Sequence, residues 1–298
     1  MRLREYLALL FLSAIVLPGC TEQSTGQNGS NQTRTPSAST STASRDISTA
    51  SVSTPTPSPS PVGPPSRRQL ARGTFVNVAG HSLFITCAGD GSPTVVLEAG
   101  AADDSTTWSK VQPKVARFTR VCSYDRSSRG KSEPGLDPNN SKNIVSELRV
   151  LLSAAKIDGP YVLTGYAAGG MHMQLYARLY PKEVAGLVLV DAAHEDAYLD
   201  EEHPGCPNRY CGGVDYVRSA KQVKAAPPMP NIPLLMHGKN QGYYRDYVEK
   251  AWPGWQRDLA SRSPQGKLII ARDSSPVIPY DEPDLVASTI REVVKRTQ

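Results

Sequence analysis

Residues 165–169 have the spacing of a catalytic turn but lack a reactive side chain. They read Gly-Tyr-Ala-Ala-Gly and follow the short apolar run 161–164. In the pattern Gly-x-Ser-x-Gly, a strand turns sharply into a helix and presents the central serine hydroxyl as a nucleophile. The central residue here is Ala167, and a methyl group cannot attack a carbonyl carbon. The backbone N–H of Ala168, at the start of the predicted helix, would still point at a bound oxyanion.

The segments around this turn alternate between strand-like and helix-like patterns. Short apolar runs predict strands at 74–78, 82–86, 94–98, 120–124, 161–164, 186–190, 233–236 and 267–271. Apolar residues at steps of three and four predict helices over 108–118, 144–152 and 170–180, another around Trp252 and Trp255, and a last one opened by Pro283. This alternation predicts the α/β class, a mostly parallel sheet with helices on both faces. Ligands of such sheets bind at the carboxyl ends of the strands.

Four segments carry a resemblance to a known family. They are SPTVVLEAG, VCSYDRSSRGKSEPG, GPYVLTGYAAGG and YPKEVAGLVLVDAAHED, and their order and spacing resemble the α/β-hydrolase superfamily. The resemblance covers about residues 74 to 298. It implies a central sheet of about eight strands and a small lid at about residues 194–230. It also implies a second oxyanion amide from Ala101, beside that of Ala168.

The resemblance places two further catalytic groups at positions that are also substituted. The general base should follow the last strand, and Pro276 stands there without a proton acceptor or donor in its side chain. The acid should follow the strand ending at Met236, where Asn240 is the nearest residue and is a neutral amide. Some relatives take the acid after the preceding strand, where Asp191 lies. We therefore predict a degenerate triad at Ala167, Pro276 and Asn240, in a pseudo-hydrolase that binds rather than cleaves.

Other side chains leave an alternative open. His194 and His237 follow predicted strands, so either could act as a displaced base in a weak or unconventional carboxylic-ester hydrolase. His172 lies one turn into the helix after the catalytic turn and is expected to pack or to line the pocket wall. Hydroxyls are available in the loop after residue 125, where turn formation is the favoured role for Ser127, Ser128 and Ser132.

The first 68 residues differ from the rest of the chain. Residues 1–20 have a basic start, an apolar run too short to span a membrane, and the ending Leu-Pro-Gly-Cys20. This pattern resembles a lipoprotein signal peptide with lipid attached to Cys20; an ordinary signal peptide with a chance cysteine is the alternative. Residues 21–68 are rich in Ser, Thr and Pro and are predicted to form a disordered tether. The expected protein is exported and anchored to the bacterial cell membrane, with its folded domain at 69–298.

The remaining cysteines suggest two disulfides in an exported protein. A Cys206–Cys211 bridge would tie the lid, and Cys87 and Cys122 lie on strands that the implied fold makes neighbours. A zinc site built on His203, Cys206 and Cys211 lacks a fourth ligand, so we predict no metal and no cofactor. The net charge of +5 is spread along the sequence without a basic stripe, which argues against nucleic acid. The expected partner besides the membrane is a small carboxylate, ester or acyl ligand, or a protein of the cell envelope.

Overall fold

A computed structural model describes residues 63–135, 139–199, 210–211, 213–238 and 246–298. Cys20, Asn240 and Cys206 lie outside these residues, so the lipidation, the acid position and the lid disulfide stay predictions. None of the helices in the described ranges is long and apolar enough to cross a membrane.

Eight strands of the described chain form one sheet, in the spatial order β1-β2-β4-β3-β5-β6-β9-β10. Strand β2 runs antiparallel to β1 and β4, and all other neighbours are parallel, which confirms the mostly parallel eight-stranded prediction. A separate two-stranded pair, β7 with β8, lies in the predicted lid. The strands are β1 (Thr74–Val78), β2 (His81–Ala88), β3 (Thr94–Glu98), β4 (Val121–Tyr124), β5 (Tyr161–Tyr166), β6 (Val184–Val190), β7 (Tyr210–Cys211), β8 (Val214–Asp215), β9 (Leu234–Gly238) and β10 (Gly266–Ile270).

Helices cover both faces of the sheet, as the alternation predicts. Alternate residues of β3 point to opposite sides: Val96 joins the buried cluster with α3 and α4, whereas Val95 joins the cluster with α2 and α8. Strands β3, β5 and β6 are therefore apolar on both faces. The helices are α1 (Arg67–Arg72), α2 (Gln112–Val115), α3 (Ser141–Ala154), α4 (Ala168–Leu179), α5 (Tyr216–Lys224), α6 (Asp246–Ser261), α7 (Ile278–Asp281) and α8 (Pro283–Arg296).

The disulfide between Cys87 and Cys122 is present, as the fold implied. The two cysteines are direct partners in the antiparallel pair β2–β4, and both are buried. The bridge thus joins the antiparallel edge of the sheet to its parallel part.

Three local predictions differ from the structure. The single helix expected over 108–118 is a 3₁₀ turn at Ser105–Trp108 followed by the short α2, because Pro113 has no N–H with which to continue a helical ladder. The domain boundary drawn at residue 69 falls inside α1, which begins at a capping box formed by Ser66 and Gln69. Helix α5 was not predicted in the polar lid region.

Candidate functional site

The turn between β5 and α4 has the strained backbone that a nucleophile position requires. Ala167 adopts φ 48° and ψ −120°, a conformation that residues with a Cβ rarely occupy. Its N–H donates to Val190 O at 3.0 Å, and its carbonyl accepts from the amides of Gly170 and Ala193 at 3.1 and 2.9 Å. The turn is thereby tied to the end of β6 and the loop that follows, although Ala167 offers only a methyl group.

Glycines make this turn possible because backbone passes close on both sides. A Cβ on Gly165 would lie 2.6 Å from the carbonyl carbon and oxygen of Gly169. A Cβ on Gly169 would lie 2.5 Å from Ala99 O and 2.7 Å from Glu98 O, so α4 begins directly against the loop after β3. A side chain at either position would collide with backbone atoms, so the turn requires glycine at both.

The loop after β3 faces Ala167 and is held by a buried arginine. Arg126, which is 3% exposed, donates from Nη1 to Ala99 O at 2.7 Å and from Nη2 to the carbonyls of Gly100 and Ala101, the latter at 3.1 Å. A Cβ on Gly100 would lie 3.5 Å from the Ala167 Cβ, which places the loop directly opposite the turn. Ala101 and Ala168, the predicted oxyanion positions, thus belong to two segments that meet at Ala167.

Below this loop lies a buried charged cluster that the sequence did not reveal. Glu98 is fully buried and its Oε1 lies 3.4 Å from Arg126 Nη1 and 2.5 Å from His172 Nδ1. Burial, together with the nearby Glu98 carboxylate, raises the pKa of Tyr124 well above its usual range. His172 has no exposed surface, so of its two predicted roles it packs and does not line the pocket.

A crevice of about 300 Å³ opens beside the turn. It lies between the loop after β3, the end of β5 and the loop after β10, and its wall includes Tyr166 and Val277, the neighbours of Ala167 and Pro276. Tyr166, which precedes Ala167, donates its hydroxyl hydrogen to Pro276 O at 3.1 Å. The residues next to the proposed nucleophile and base positions therefore line one crevice, although Ala167 and Pro276 are not themselves among its lining residues. Its lining residues are Ala102, Asp103, Asp104, Thr106, Thr107, Tyr166, Val277 and Tyr280.

Comparison with known proteins agrees with this architecture. A family model described as alpha/beta hydrolase fold matches residues 93–226. The chain has the α/β-hydrolase fold. The Bacillus subtilis (strain 168) protein YqjL, described as uncharacterized, is 27% identical over 214 residues, which cover 69% of this chain and 85% of YqjL. Other relatives are much longer: this chain spans 19% of a probable transporter, efuK, from Hormonema carpetanum, at 24% identity over 41% of this chain.

Solved structures of α/β-hydrolase proteins share the fold. A thermophilic esterase from Thermogutta terrifontis superposes with a TM-score of 0.59 at 18% identity, covering 76% of this chain and 98% of the esterase. The enol-lactonase from Burkholderia xenovorans LB400 gives a TM-score of 0.58 at 16% identity, covering 74% and 100% of the two chains. At these identities the likeness concerns the fold alone.

His194 is one of the two candidates for a displaced base. Both of its ring nitrogens already contact other protein groups. Its Nδ1 accepts from the Asp196 amide at 3.1 Å, and its Nε2 lies 3.0 Å from Asp258 Oδ2. The ring also stacks on Trp255, with centroids 5.5 Å apart, and Arg262 Nη2 approaches Nε2 at 2.9 Å. Neither nitrogen is free to take a proton from a substrate. The side chain of the other candidate, His237, lies outside the described residues.

Asp191, the alternative acid, is also held in a structural contact. It is buried at the end of β6 with φ 45°, and its Oδ1 accepts from Trp252 Nε1 at 2.9 Å. Trp252 lies on α6, which packs on β9 and β10. Trp252 therefore connects Asp191 to the helix that packs on this part of the sheet.

A serine, a histidine and a glutamate meet away from the crevice, where the sequence predicted only a turn. Ser127 donates to Glu147 Oε2 at 2.6 Å, and His81 Nε2 lies 3.2 Å from both Ser127 Oγ and Glu147 Oε1. A working triad places the imidazole between the two partners and uses a different nitrogen for each. Here one nitrogen faces both, and a Cβ on Gly135 would lie 2.2 Å from Ser127 Oγ, so backbone covers the hydroxyl. This cluster holds the loop after β4 and lacks the geometry for nucleophilic attack.

Proposed function

We propose that this protein is a pseudo-hydrolase, exported and lipid-anchored, that binds a small ligand without cleaving it. The observation that carries the proposal is Ala167, which keeps the strained φ and ψ of a nucleophile position but offers only a methyl group. The engagement of His194 supports it, because the candidate base whose side chain is described has no free nitrogen. Pro276, on the loop where the resemblance places the base, has no titratable group.

The ligand we propose is an uncharged ester or acyl group that enters the crevice beside Ala167. The amides of Ala101 and Ala168 would hold its carbonyl oxygen, as oxyanion amides do in acyl transfer. Asp103 and Asp104 both line the crevice, and like charges repel a free carboxylate there. Of the ligands that the sequence suggested, the acid is therefore disfavoured relative to its ester. A cell-envelope protein remains the alternative partner.

A fluorophosphonate probe should leave the protein unmodified. The probe reacts with activated serine nucleophiles, and removal of the triad serine or histidine costs on the order of a millionfold in turnover in a studied serine protease. Intact-mass measurement after incubation should show no adduct, while an esterase with an intact triad is labelled in parallel. Turnover of activated esters that is lost in His194→Ala or His237→Ala would instead identify a displaced base and overturn the proposal.

Binding in the crevice should raise the melting temperature in the presence of an uncharged ester. At ten times the dissociation constant the stabilisation amounts to about 1.4 kcal/mol, and it should grow with ligand concentration. A thermal-shift series comparing short-chain esters with their free acids measures this preference. Val277→Trp, which fills the crevice mouth, should abolish the shift, whereas Val150→Trp on the exposed surface of α3 should not. Equal shifts in both variants would place the ligand elsewhere.

A further inference from the structure

One end of the sheet gathers exposed basic side chains from distant parts of the sequence. We call this surface the amino-end face; it comprises the segments that lead into β3, β4, β5 and β6, together with α1 and the end of α8. Gln298 Nε2 donates to Ser92 O at 2.8 Å, which places the end of α8 beside the entry to β3. Arg67 on α1 pairs with Asp90 in the same loop at 2.6 Å. The basic residues of the face are Arg67, Arg68, Arg120, Lys156, Lys182, Lys295 and Arg296.

The acidic side chains of this face do not balance these cations. Asp90 pairs with Arg67, and Glu183 pairs with Arg149 at 2.6 Å, which leaves Asp158 as the remaining carboxylate of the entry loops. On α8, Glu292 lies 4.0 Å from Arg296 and 3.6 Å from Lys267. Burial, with Arg67 close by, lowers the pKa of Arg120, as crowded cations do. No ion pair joins Arg68, Lys156, Lys182 or Lys295 to another described residue. The face is therefore positive.

At the opposite end of the sheet, the residues that line the crevice include Asp103 and Asp104 and no basic side chain. Asp191 follows β6 and Asp281 ends α7, while Lys110 donates to Tyr280 O at the crevice wall at 3.1 Å. The sequence shows only a spread-out charge of +5, but parallel strands all begin at the same edge, so the fold separates the charges. The domain is polarised between a basic amino-end face and an acidic crevice.

The chain also enters the domain at the basic end. Helix α1 begins after the Ser66 cap, buries Leu70, and lies beside Cys87, Ala88 and Asp90 at the end of β2. The predicted tether and Cys20 precede this helix in the sequence. A lipid on Cys20 would thus connect to the domain at the amino-end face.

We propose that the amino-end face docks on an anionic lipid bilayer, which leaves the crevice open on the far side. This inference rests on the proposed lipid anchor in one respect, because the anchor brings the domain close to the membrane. The attraction itself comes from the charges of the amino-end face. Each Lys or Arg near an anionic surface strengthens partitioning by about fivefold, and the effect falls off within about 10 Å at 0.1 M salt.

Vesicle sedimentation tests this docking with the chain from residue 20 onward carrying Cys20→Ser, the product of the proposed processing without its lipid. This chain keeps the whole compact unit 59–298. It should bind phosphatidylglycerol-containing vesicles and not pure phosphatidylcholine vesicles, with binding that weakens as salt rises. The triple variant Lys156→Gln, Lys182→Gln, Lys295→Gln should lose about 100-fold in partitioning. The control Lys110→Gln, Lys131→Gln, Lys221→Gln removes the same charge elsewhere and should stay within about threefold.

Equal losses in the two triple variants would show that only net charge matters and would overturn the docking face. The docking face would also be overturned if the Lys156, Lys182 and Lys295 variant bound anionic vesicles as well as the parent chain does. Equal binding of the parent chain to both vesicle types would overturn it too. If the triple variant fails to fold, the single variants Lys182→Gln and Lys295→Gln should each lower partitioning onto the anionic vesicles about fivefold. Membrane fractionation of the unmodified chain tests the lipid anchor separately, so failure of one proposal is distinguishable from failure of the other.

Discussion

Replacing Arg126 by methionine should lower the free energy of unfolding by about 3–5 kcal/mol, the cost of breaking a buried ion pair from one side. The guanidinium lies 3.4 Å from the fully buried Glu98 and donates to three consecutive carbonyls of the loop after β3. Methionine keeps most of the volume but removes the guanidinium from the Glu98 carboxylate, which keeps only its contact with His172 Nδ1 among the hydrogen bonds described above, and from those carbonyls. Urea titration monitored by circular dichroism measures the change.

Arg149→Met is the matched control for this substitution. Arg149 also pairs with a carboxylate, Glu183, but the two side chains are 38% and 34% exposed, and a solvent-screened pair contributes about 1 kcal/mol or less. The double variant Arg126→Met with Glu98→Gln should recover part of the loss, because it removes the unpaired buried charge. A loss below about 1 kcal/mol in Arg126→Met would show that water or another cation replaces the guanidinium.

The order of elements was predictable because local pattern determines it. Strand β5 is an apolar run buried on both faces, and the run of glycines after it predicted the sharp turn before α4. Helix α5 was missed, although its buried residues Tyr216, Ser219, Ala220 and Val223 follow helical spacing. The buried stripe of α5 is short, and the polar, proline-rich composition of the surrounding region made it hard to recognise.

The contacts that decide the chemistry were less predictable, because they join residues far apart in the sequence. His194 meets Asp258 across 64 positions, and Ser127 meets His81 across 46. A sequence shows that these residues exist but not that their nitrogens and hydroxyls are engaged. One signal was available for the buried cluster: Glu98 is a charged residue that closes an otherwise apolar predicted strand, and such a residue needs a buried partner.

What the fold retains around Ala167 is backbone geometry rather than reactive groups. Arg126 fixes the loop that bears Ala101, the glycines allow α4 to begin against it, and the hydrogen bonds of Ala167 hold the strained turn. These features hold the segments of Ala101 and Ala168 next to each other, and none supplies a nucleophile. This combination supports binding as the proposed role.

Gly169→Ala should destabilise the protein by about 3 kcal/mol, near the upper end of the usual cost of overpacking. The added methyl would lie 2.5 Å from Ala99 O and 2.7 Å from Glu98 O, and both are backbone atoms of a loop that Arg126 holds in place. Gly254→Ala is the control: its Cβ meets nothing within 4 Å on helix α6, so it should stabilise by up to about 1 kcal/mol. Urea titration of both variants gives the comparison. If Gly169→Ala were as stable as the parent protein, the loop after β3 would have to move away from α4, and the two proposed oxyanion amides would no longer converge on one ligand atom.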